Sequence, residues 1–267
     1  MQTWVKILFI VVGELLLWAI INNKRIIVTN YAVKGVDNLK IVHLSDIHND
    51  LFGKNNINLV NKIKDINPDV ILITGDLIDK RRTNVDIAIN LIKQIKEVSP
   101  IYMVYGNHEA TKSDILLEYE SKLLSEGVNV LRNEVEMFKQ ISIIGLDDVN
   151  FCESQQKKEY LKEQLDKLVN GEKYKILLTH KPQYIDVYKN YDVDLILCGH
   201  AHGGQVRLPF IGGLFAPGQG VFPKYTSGMF TFGKVKMIVS RGLGNSLFPL
   251  RFNNNPQIIV INMEKGN

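Results

Sequence analysis

Cysteine is nearly absent from this chain of 267 residues. The two present, Cys152 and Cys198, have unlike settings, one in a polar loop and the other inside the apolar run DLILCG. That pattern argues against a disulfide framework and puts Cys198 in the core. Runs of one charge are also lacking. The 32 Lys and Arg and 28 Asp and Glu give a net charge of only +4, and the lysines are spread over helix-like faces. Bulk charge therefore gives nucleic-acid binding no support, and no nucleic-acid partner is expected. No Gly/Ser-rich linker divides the chain and no repeat of fixed period runs through it. With 45% hydrophobic and 22% charged residues, the composition is that of a globular protein with a large core, not of a disordered one.

The amino-terminal stretch WVKILFIVVGELLLWAII, residues 4–21, is apolar except for Lys6 and Glu14. About 20 apolar residues cross a bilayer, and Lys6 can snorkel to the interface. Glu14 opposes this, since a central carboxyl costs on the order of 3 kcal/mol, but it can protonate and its neighbours outweigh it. No small-residue cleavage site follows, so a retained single-pass anchor over 1–22 is expected, not a removed signal peptide. Lys24, Arg25, Lys34 and Lys40 follow the run, whereas only Lys6 and the amino terminus precede it. That tendency favours a cytoplasmic body, but Lys40 belongs equally to the folded domain, so the membrane face stays undecided. Residues 23–38 read as a tether and 39–267 as one folded domain.

Within that domain apolar runs alternate with helical patterns in the rhythm of βαβ units and mainly parallel strands. LKIVHLSD, PDVILITGD and PIYMVYGNHE read as strands. NNINLVNKIKDIN, with apolar residues at three-residue steps, NVDIAINLIKQIKEV and SDILLEYESKLLSEG read as helices. The second half alternates less regularly: VNVLRN, EVEMFKQ and ISIIGLDD as short strands, QQKKEYLKEQLDKLV as a helix, then YKILLTHKP, VDLILCGHAHGG, KVKMIVSRG and QIIVINM as strands. This is an α/β domain in which two sheets share a core.

The ends of the strands carry the chemistry: SDIH at 45–48, GD at 75–76, GNHE at 106–109, TH at 179–180 and GHAH at 199–202. Five of the six histidines, His48, His108, His180, His200 and His202, fall there, whereas His43 lies inside a strand and reads as structural. Carboxylate, amide and imidazole donors suit Zn, Mn, Fe or Ni, and histidine argues against a site for Mg or Ca alone. The donors exceed what one tetrahedral ion uses, so two divalent ions are expected. A pair about 3.5–4 Å apart clamps the oxygens of a phosphoryl group.

DIH, GDLID, GNHE, a later H and GHAH, in that order over roughly residues 39–263, resemble the signature of the calcineurin-like metallophosphoesterase superfamily. The resemblance implies a four-layer α/β/β/α sandwich of two mixed sheets. It also implies Asp46, His48 and His202 for one metal, Asn107, His180 and His200 for the other, and Asp76 bridging both. By the same resemblance metal-bound hydroxide attacks phosphorus and His108 acts as general acid or phosphate binder, oriented by Asp79. Asp79 reads equally as a helix cap, and Glu109 receives no role.

The block GHAHGGQVRLPFIGGLFAPGQGVFPKY with the later SRGLGNSLFPLRFN resembles a membrane-associated bacterial branch that includes pyrophosphatases of nucleotide-linked acylated sugars. Phe210, Leu214, Phe215, Phe222, Phe248 and Leu250 would form an apolar rim for an acyl chain or the bilayer, or else fold back as core. Arg207, Arg241 and Arg251 are candidates for a substrate phosphate. The resulting expectation is a membrane-tethered, binuclear hydrolase of a phosphodiester or pyrophosphate, with a lipid-linked or other small phosphate ester as substrate. A phosphomonoesterase, protein phosphatase or nuclease on the same scaffold, and a non-catalytic interaction module, are the alternatives; the complete ligand set argues against the last.

Overall fold

The computed structural model describes residues 2–245 and 249–266. After α1 (Gln2–Asn22), the elements are β1 (Ile27–Gly35), β2 (Leu39–Leu44), α2 (Ile57–Ile66), β3 (Val70–Thr74), α3 (Val85–Ile95), β4 (Ile101–Val104), α4 (Asn107–Ala110), α5 (Ser113–Ser125), β5 (Asn129–Val130), β6 (Glu134–Phe138) and β7 (Ile141–Gly145). The remainder comprises α6 (Lys157–Leu168), β8 (Tyr174–Leu178), α7 (Ile185–Tyr188), β9 (Leu195–Cys198), two short hairpins, β10 (Arg207–Leu208) with β11 (Gly212–Gly213) and β12 (Phe215–Ala216) with β13 (Gly220–Val221), then β14 (Gly228–Phe232), β15 (Val235–Val239) and β16 (Gln257–Lys265).

Two six-stranded mixed sheets are present, in the orders β1-β16-β2-β3-β4-β5 and β14-β15-β9-β8-β7-β6. In the first, β2 to β5 run parallel and β16 opposes β2. In the second, β15, β9, β8 and β7 run parallel between antiparallel edges. Side chains of a strand alternate between faces, and here both faces are covered. In β3, Val70 and Leu72 enter the layer between the sheets while Ile71 and Ile73 meet the helices. In β9, Leu195 and Leu197 point inward and Ile196 and Cys198 outward. That double burial is why these strands read as unbroken apolar runs.

Three apolar layers follow. Leu59, Val60 and Ile63 of α2, with residues of α3 and α5, cover the first sheet. The inner faces of the sheets pack on each other. Leu161 and Leu165 of α6 and Ile185 and Tyr188 of α7 cover the second. The architecture is the expected α/β/β/α sandwich of two mixed sheets.

The segment expected as a tether is instead folded. Residues 27–35 form β1, paired in parallel with β16 over nine positions from Ile27↔Gln257 to Gly35↔Lys265, and Val33 lies in the layer between the sheets. The joint with α1 is short and fixed. The Asn23 side chain donates to the Pro249 carbonyl at 2.9 Å and accepts the Arg251 N–H at 2.9 Å. Trp18 packs on Phe252 with ring centroids 6.4 Å apart.

Candidate metal centre

Every parallel strand that reads into a polar turn delivers it to one end of the sandwich. Asp46 and His48 follow β2, Asp76 follows β3, Asn107 and His108 open α4 after β4, His180 follows β8, and His200 and His202 follow β9. The site therefore sits on the seam between the sheets. Its turns are tight enough to force non-glycine residues into left-handed backbone: φ is 52° at Asp46, 52° at His48, 53° at Asp76, 66° at His200 and 45° at His202. Each such residue costs on the order of 1 kcal/mol and persists only where its surroundings over-determine it. The glycine before Asn107 has a packing reason, since a Cβ on Gly106 would collide with Asp76 Oδ1.

The side chains gather in two groups. Asp46, His48 and His202 bring ligand-type atoms within 4.8 Å of one another, and so do Asp76, His180 and His200. In the first, Nε2 of His48 and Nε2 of His202 face each other at 3.1 Å, with Asp46 Oδ1 at 3.5 Å from the latter. In the second, His180 Nε2 lies 3.1 Å from Asn107 Oδ1, 3.1 Å from His200 Nδ1 and 3.3 Å from Asp76 Oδ2. Asp76 Oδ2 also stands 3.7 Å from His48 Nε2, between the groups.

These contacts test whether a cation fits. His180 Nδ1 is 2.7 Å from the Thr74 carbonyl, which only accepts, so Nδ1 carries the hydrogen and Nε2 presents its lone pair. That arrangement, a ring fixed through its outer nitrogen, suits a metal ligand. Oxygen and nitrogen lone pairs thus converge with few hydrogens among them. Burial disfavours a charged His180, yet the carboxylates of Asp76, Asp46 and Asp148 outweigh it and push the imidazole up to about 10. The protein alone meets the demand for positive charge by protonating a ligand; divalent cations meet it without doing so.

Asp79 stands beside both His108 and His48. Its Oδ1 accepts the N–H groups of Arg81 and Arg82 at 2.8 and 2.9 Å in the loop before α3; it closes a turn and does not cap a helix, since the N-cap of α3 is Asn84. Its Oδ2 has no hydrogen-bond partner, and neither has His48 Nδ1 3.7 Å away. His108 Nδ1 is also 3.7 Å from that oxygen, but it accepts the Lys80 backbone N–H at 3.0 Å. The neutral His108 ring therefore carries its hydrogen on Nε2, and burial pulls its pKa down from the ordinary histidine value.

Glu109, whose only sign in the sequence is its place in GNHE, holds the site together. Its carboxylate is fully buried and accepts four backbone N–H groups, those of Gly106 (2.9 Å), Asp76 (2.9 Å), Leu77 (2.7 Å) and Ile78 (3.2 Å). Burial and the neighbouring Asp76 push its pKa up to about 8, against those donors. Every contact offers a hydrogen, so the ionised form is the one the turn is built to receive.

A cavity of about 280 Å³ opens over Asp76, Asn107, His108, His200 and His202, and is lined as well by Lys80, Arg81, Phe215 and Pro217. None of the three arginines expected at a phosphate lines it. Arg251 is fully buried, with Nη1 donating to the Arg241 and Gly242 carbonyls at 2.7 and 3.3 Å and Nη2 to Gly244, and its Nη2 reaches His202 Nδ1 at 3.3 Å. Arg207 donates to the Gly203 carbonyl at 2.8 Å, and Arg241 is half-buried beside Tyr31. Lys80 and Arg81 line it instead; the run DKRR directly after GDLI was the available sign. Of the apolar rim, Phe210, Phe215 and Phe222 are exposed, Leu214 and Leu250 half-buried, and Phe248 lies outside the described residues.

Known proteins share these features. Residues 39–204 match the calcineurin-like phosphoesterase family. YkuE of Bacillus subtilis (strain 168), an uncharacterized metallophosphoesterase, is 33% identical over 242 residues, covering 87% of this chain and 82% of that protein. The phosphodiesterase YaeI of Escherichia coli (strain K12) is 29% identical over 238 residues, covering 84% and 82%. The crystal structure of TT1561 of Thermus thermophilus has the same fold, with a TM-score of 0.54 at 14% identity over 78% of this chain and 91% of that one. With the family's sequence span and the convergent aspartates and histidines both present, this chain belongs to the calcineurin-like phosphoesterase family and is a metal-dependent phosphoric ester hydrolase.

Proposed function

We propose that the chain hydrolyses a phosphodiester or pyrophosphate bond in an amphiphilic, lipid-linked phosphate ester, from a membrane anchor formed by α1. The observation that carries this reading is the lining of the cavity itself: cationic Lys80 and Arg81 and apolar Phe215 and Pro217 border it together with the candidate ligands, a mixture suited to a charged head on an apolar body. The description of the Escherichia coli relative as a phosphodiesterase supports the diester. Support for the anchor comes from Trp4–Asn22, 19 residues of mean hydropathy 2.3 and almost wholly unburied.

In this reading Asp46, His48 and His202 would hold one divalent ion and Asn107, His180 and His200 the other, with Asp76 available to both. Mn, Zn or Fe fits the mixed oxygen and nitrogen donors. Bound there, the ions supply a water of lowered pKa and positive charge against the phosphoryl oxygens. The chain's own residues do the rest. Lys80 and Arg81 receive the non-reacting charge of the substrate. His108, with its hydrogen on Nε2, donates it to the departing oxygen, and the backbone N–H of Lys80 keeps that tautomer in place. Asp79 Oδ2, 3.7 Å from the outer nitrogen of His48, would accept its hydrogen once the inner nitrogen ligates. The test is turnover by the Mn-loaded full chain in detergent of matched mono-, di- and pyrophosphate esters with and without an acyl chain. Preference for the acylated diester or pyrophosphate is expected; preference for a water-soluble monoester would replace the reading with a phosphatase, and turnover of none with an interaction module.

A further inference from the structure

Catalysis leaves unexplained a group of apolar side chains turned to water beside the cavity. The tip of the β10–β11 hairpin carries Phe210 and Ile211, which are 109% and 59% exposed, and the β12–β13 hairpin carries Val221 and Phe222, 68% and 67% exposed. Single exposed apolar residues are ordinary on a soluble protein, but a cluster marks a contact surface. Phe210 and Phe222 moreover hold positive φ of 66° and 52°, a conformation that bulky residues avoid, and they gain no core packing in return.

The hairpins stand at the end of the sandwich from which α1 leaves. They follow the carboxyl end of β9, and β1, which continues α1, begins at the carboxyl end of β2 because it runs parallel to β16 and β16 opposes β2. Contacts join the two: Trp18 packs on Phe252, Phe252 bridges to Val206, and its carbonyl accepts the N–H of Arg207, the first residue of β10, at 3.0 Å. Charge points the same way. No Asp or Glu occurs between Asp194 and Glu264. Immediately after α1, a cleft of about 660 Å³ is flanked by Lys24, Arg25 and Lys62; Lys24 pairs with Asp50 at 3.3 Å, while Arg25 and Lys62 form no ion pair among the described residues.

We infer that this end of the domain is a membrane-contact surface: the β10–β11 tip at 210–211 and the end of the returning strand β13 at 221–222 enter the boundary between headgroups and acyl chains, Arg25 and Lys62 meet anionic headgroups, and the catalytic cavity opens onto the bilayer. Exposed aromatic and aliphatic side chains together with unpaired cations at one end of a domain are the chemistry of interfacial anchoring. The inference rests on α1 as a span and goes beyond the proposed function by fixing the orientation of the site. An ester in the leaflet then reaches the cavity, through the wall that includes Phe215, without crossing water.

The test uses the full chain with Cys152→Ser, since Cys198 is buried, reconstituted in vesicles of phosphatidylcholine and phosphatidylglycerol. Nitroxide labels are placed singly through Phe210→Cys and Phe222→Cys, through Phe9→Cys on α1, and through Asn170→Cys before β8 at the opposite end. Relaxation by oxygen and by a water-soluble nickel chelate is then measured. Labels at 210 and 222 should lose nickel relaxation and gain oxygen relaxation relative to 170, and the loss should shrink in Arg25→Gln with Lys62→Gln. Nickel relaxation at 210 and 222 equal to that at 170, with 9 shielded, overturns the contact surface while leaving the anchor; nickel access at 9 overturns both. Circular dichroism matching the unlabelled protein establishes that each labelled variant is folded.

Discussion

The backbone N–H of Lys80 donates to Nδ1 of His108 at 3.0 Å, so the residue that walls the cavity also decides which nitrogen of the histidine faces the reaction. A ring held this way has one hydrogen to give, on Nε2. His108→Ala should keep the metals and lose turnover by about 10²–10⁴-fold on a diester with an alkoxide leaving group. With p-nitrophenolate, which leaves without a proton, the loss should be much smaller. Equal losses on the two esters with metal content intact would assign His108 to phosphate binding.

Asp79 and His48 make a second prediction. Asp79→Asn retains an oxygen for the Arg81 and Arg82 N–H groups but replaces the acceptor facing His48 Nδ1. Loss of the partner that orients a ligating histidine weakens metal binding by roughly 10–100-fold. Metal titration by calorimetry should show one site weakened and the other unchanged. Unaltered affinity with slower turnover would return Asp79 to His108.

Glu109→Ala strips the acceptor from four N–H groups in the Asp76 turn. A buried donor left unsatisfied costs about 1–3 kcal/mol, and water entering the hole recovers part of it, so a net loss of about 3 kcal/mol is expected. Denaturant unfolding of the metal-free protein reads this directly, and Glu109→Gln should lie between the variant and the parent.

His43 sets a pH dependence away from the ligands. It is buried, with Nε2 2.8 Å from Thr74 Oγ1, and burial pushes its pKa down to about 3. The unfolded chain, with an ordinary histidine pKa near 6.5, binds the proton that the folded chain refuses. Stability from this residue is therefore complete above about pH 6.5 and falls as pH drops toward about 3, by at most about 1.4 kcal/mol per pH unit. His43→Gln should flatten the measured slope by that amount between about pH 6 and 4.

Removal of α1 tests the fold. A boundary at Lys34, natural if 23–38 were a tether, cuts away β1 and uncovers the edge of β16. A chain starting at Lys24 should be monodisperse and hydrolyse a soluble ester, whereas one starting at Lys34 should aggregate, as size-exclusion chromatography would show. Equal behaviour would mean that β1 is dispensable.

The contrast between these boundaries shows what sequence could and could not reveal. Strands covered on both faces, such as VILIT and LILC, announce themselves, and so does a set of histidines confined to their ends. β1 does not: IVTNYAVKG has only Val33 buried among half-exposed and exposed neighbours, and the partner that makes it a strand lies at the other end of the chain. Asp79 and the arginines show a different gap. Residue type and motif spacing bring a group to the vicinity, but which hydrogen a carboxylate meets, or whether a guanidinium turns into carbonyls as Arg251 does, depends on the path of the surrounding backbone, which residue type does not give.

Pairing the first strand with the last has a consequence for biosynthesis. Ile27 cannot find its neighbour until Gln257 has left the ribosome, and until then the first sheet has an open edge at β2, where β16 will insert. Contacts this distant in sequence form slowly, and exposed edges are where nascent chains associate wrongly. Completion of the domain is thus timed by the arrival of its final residues, and a ribosome that stops short of β16 releases a chain whose sheet cannot close.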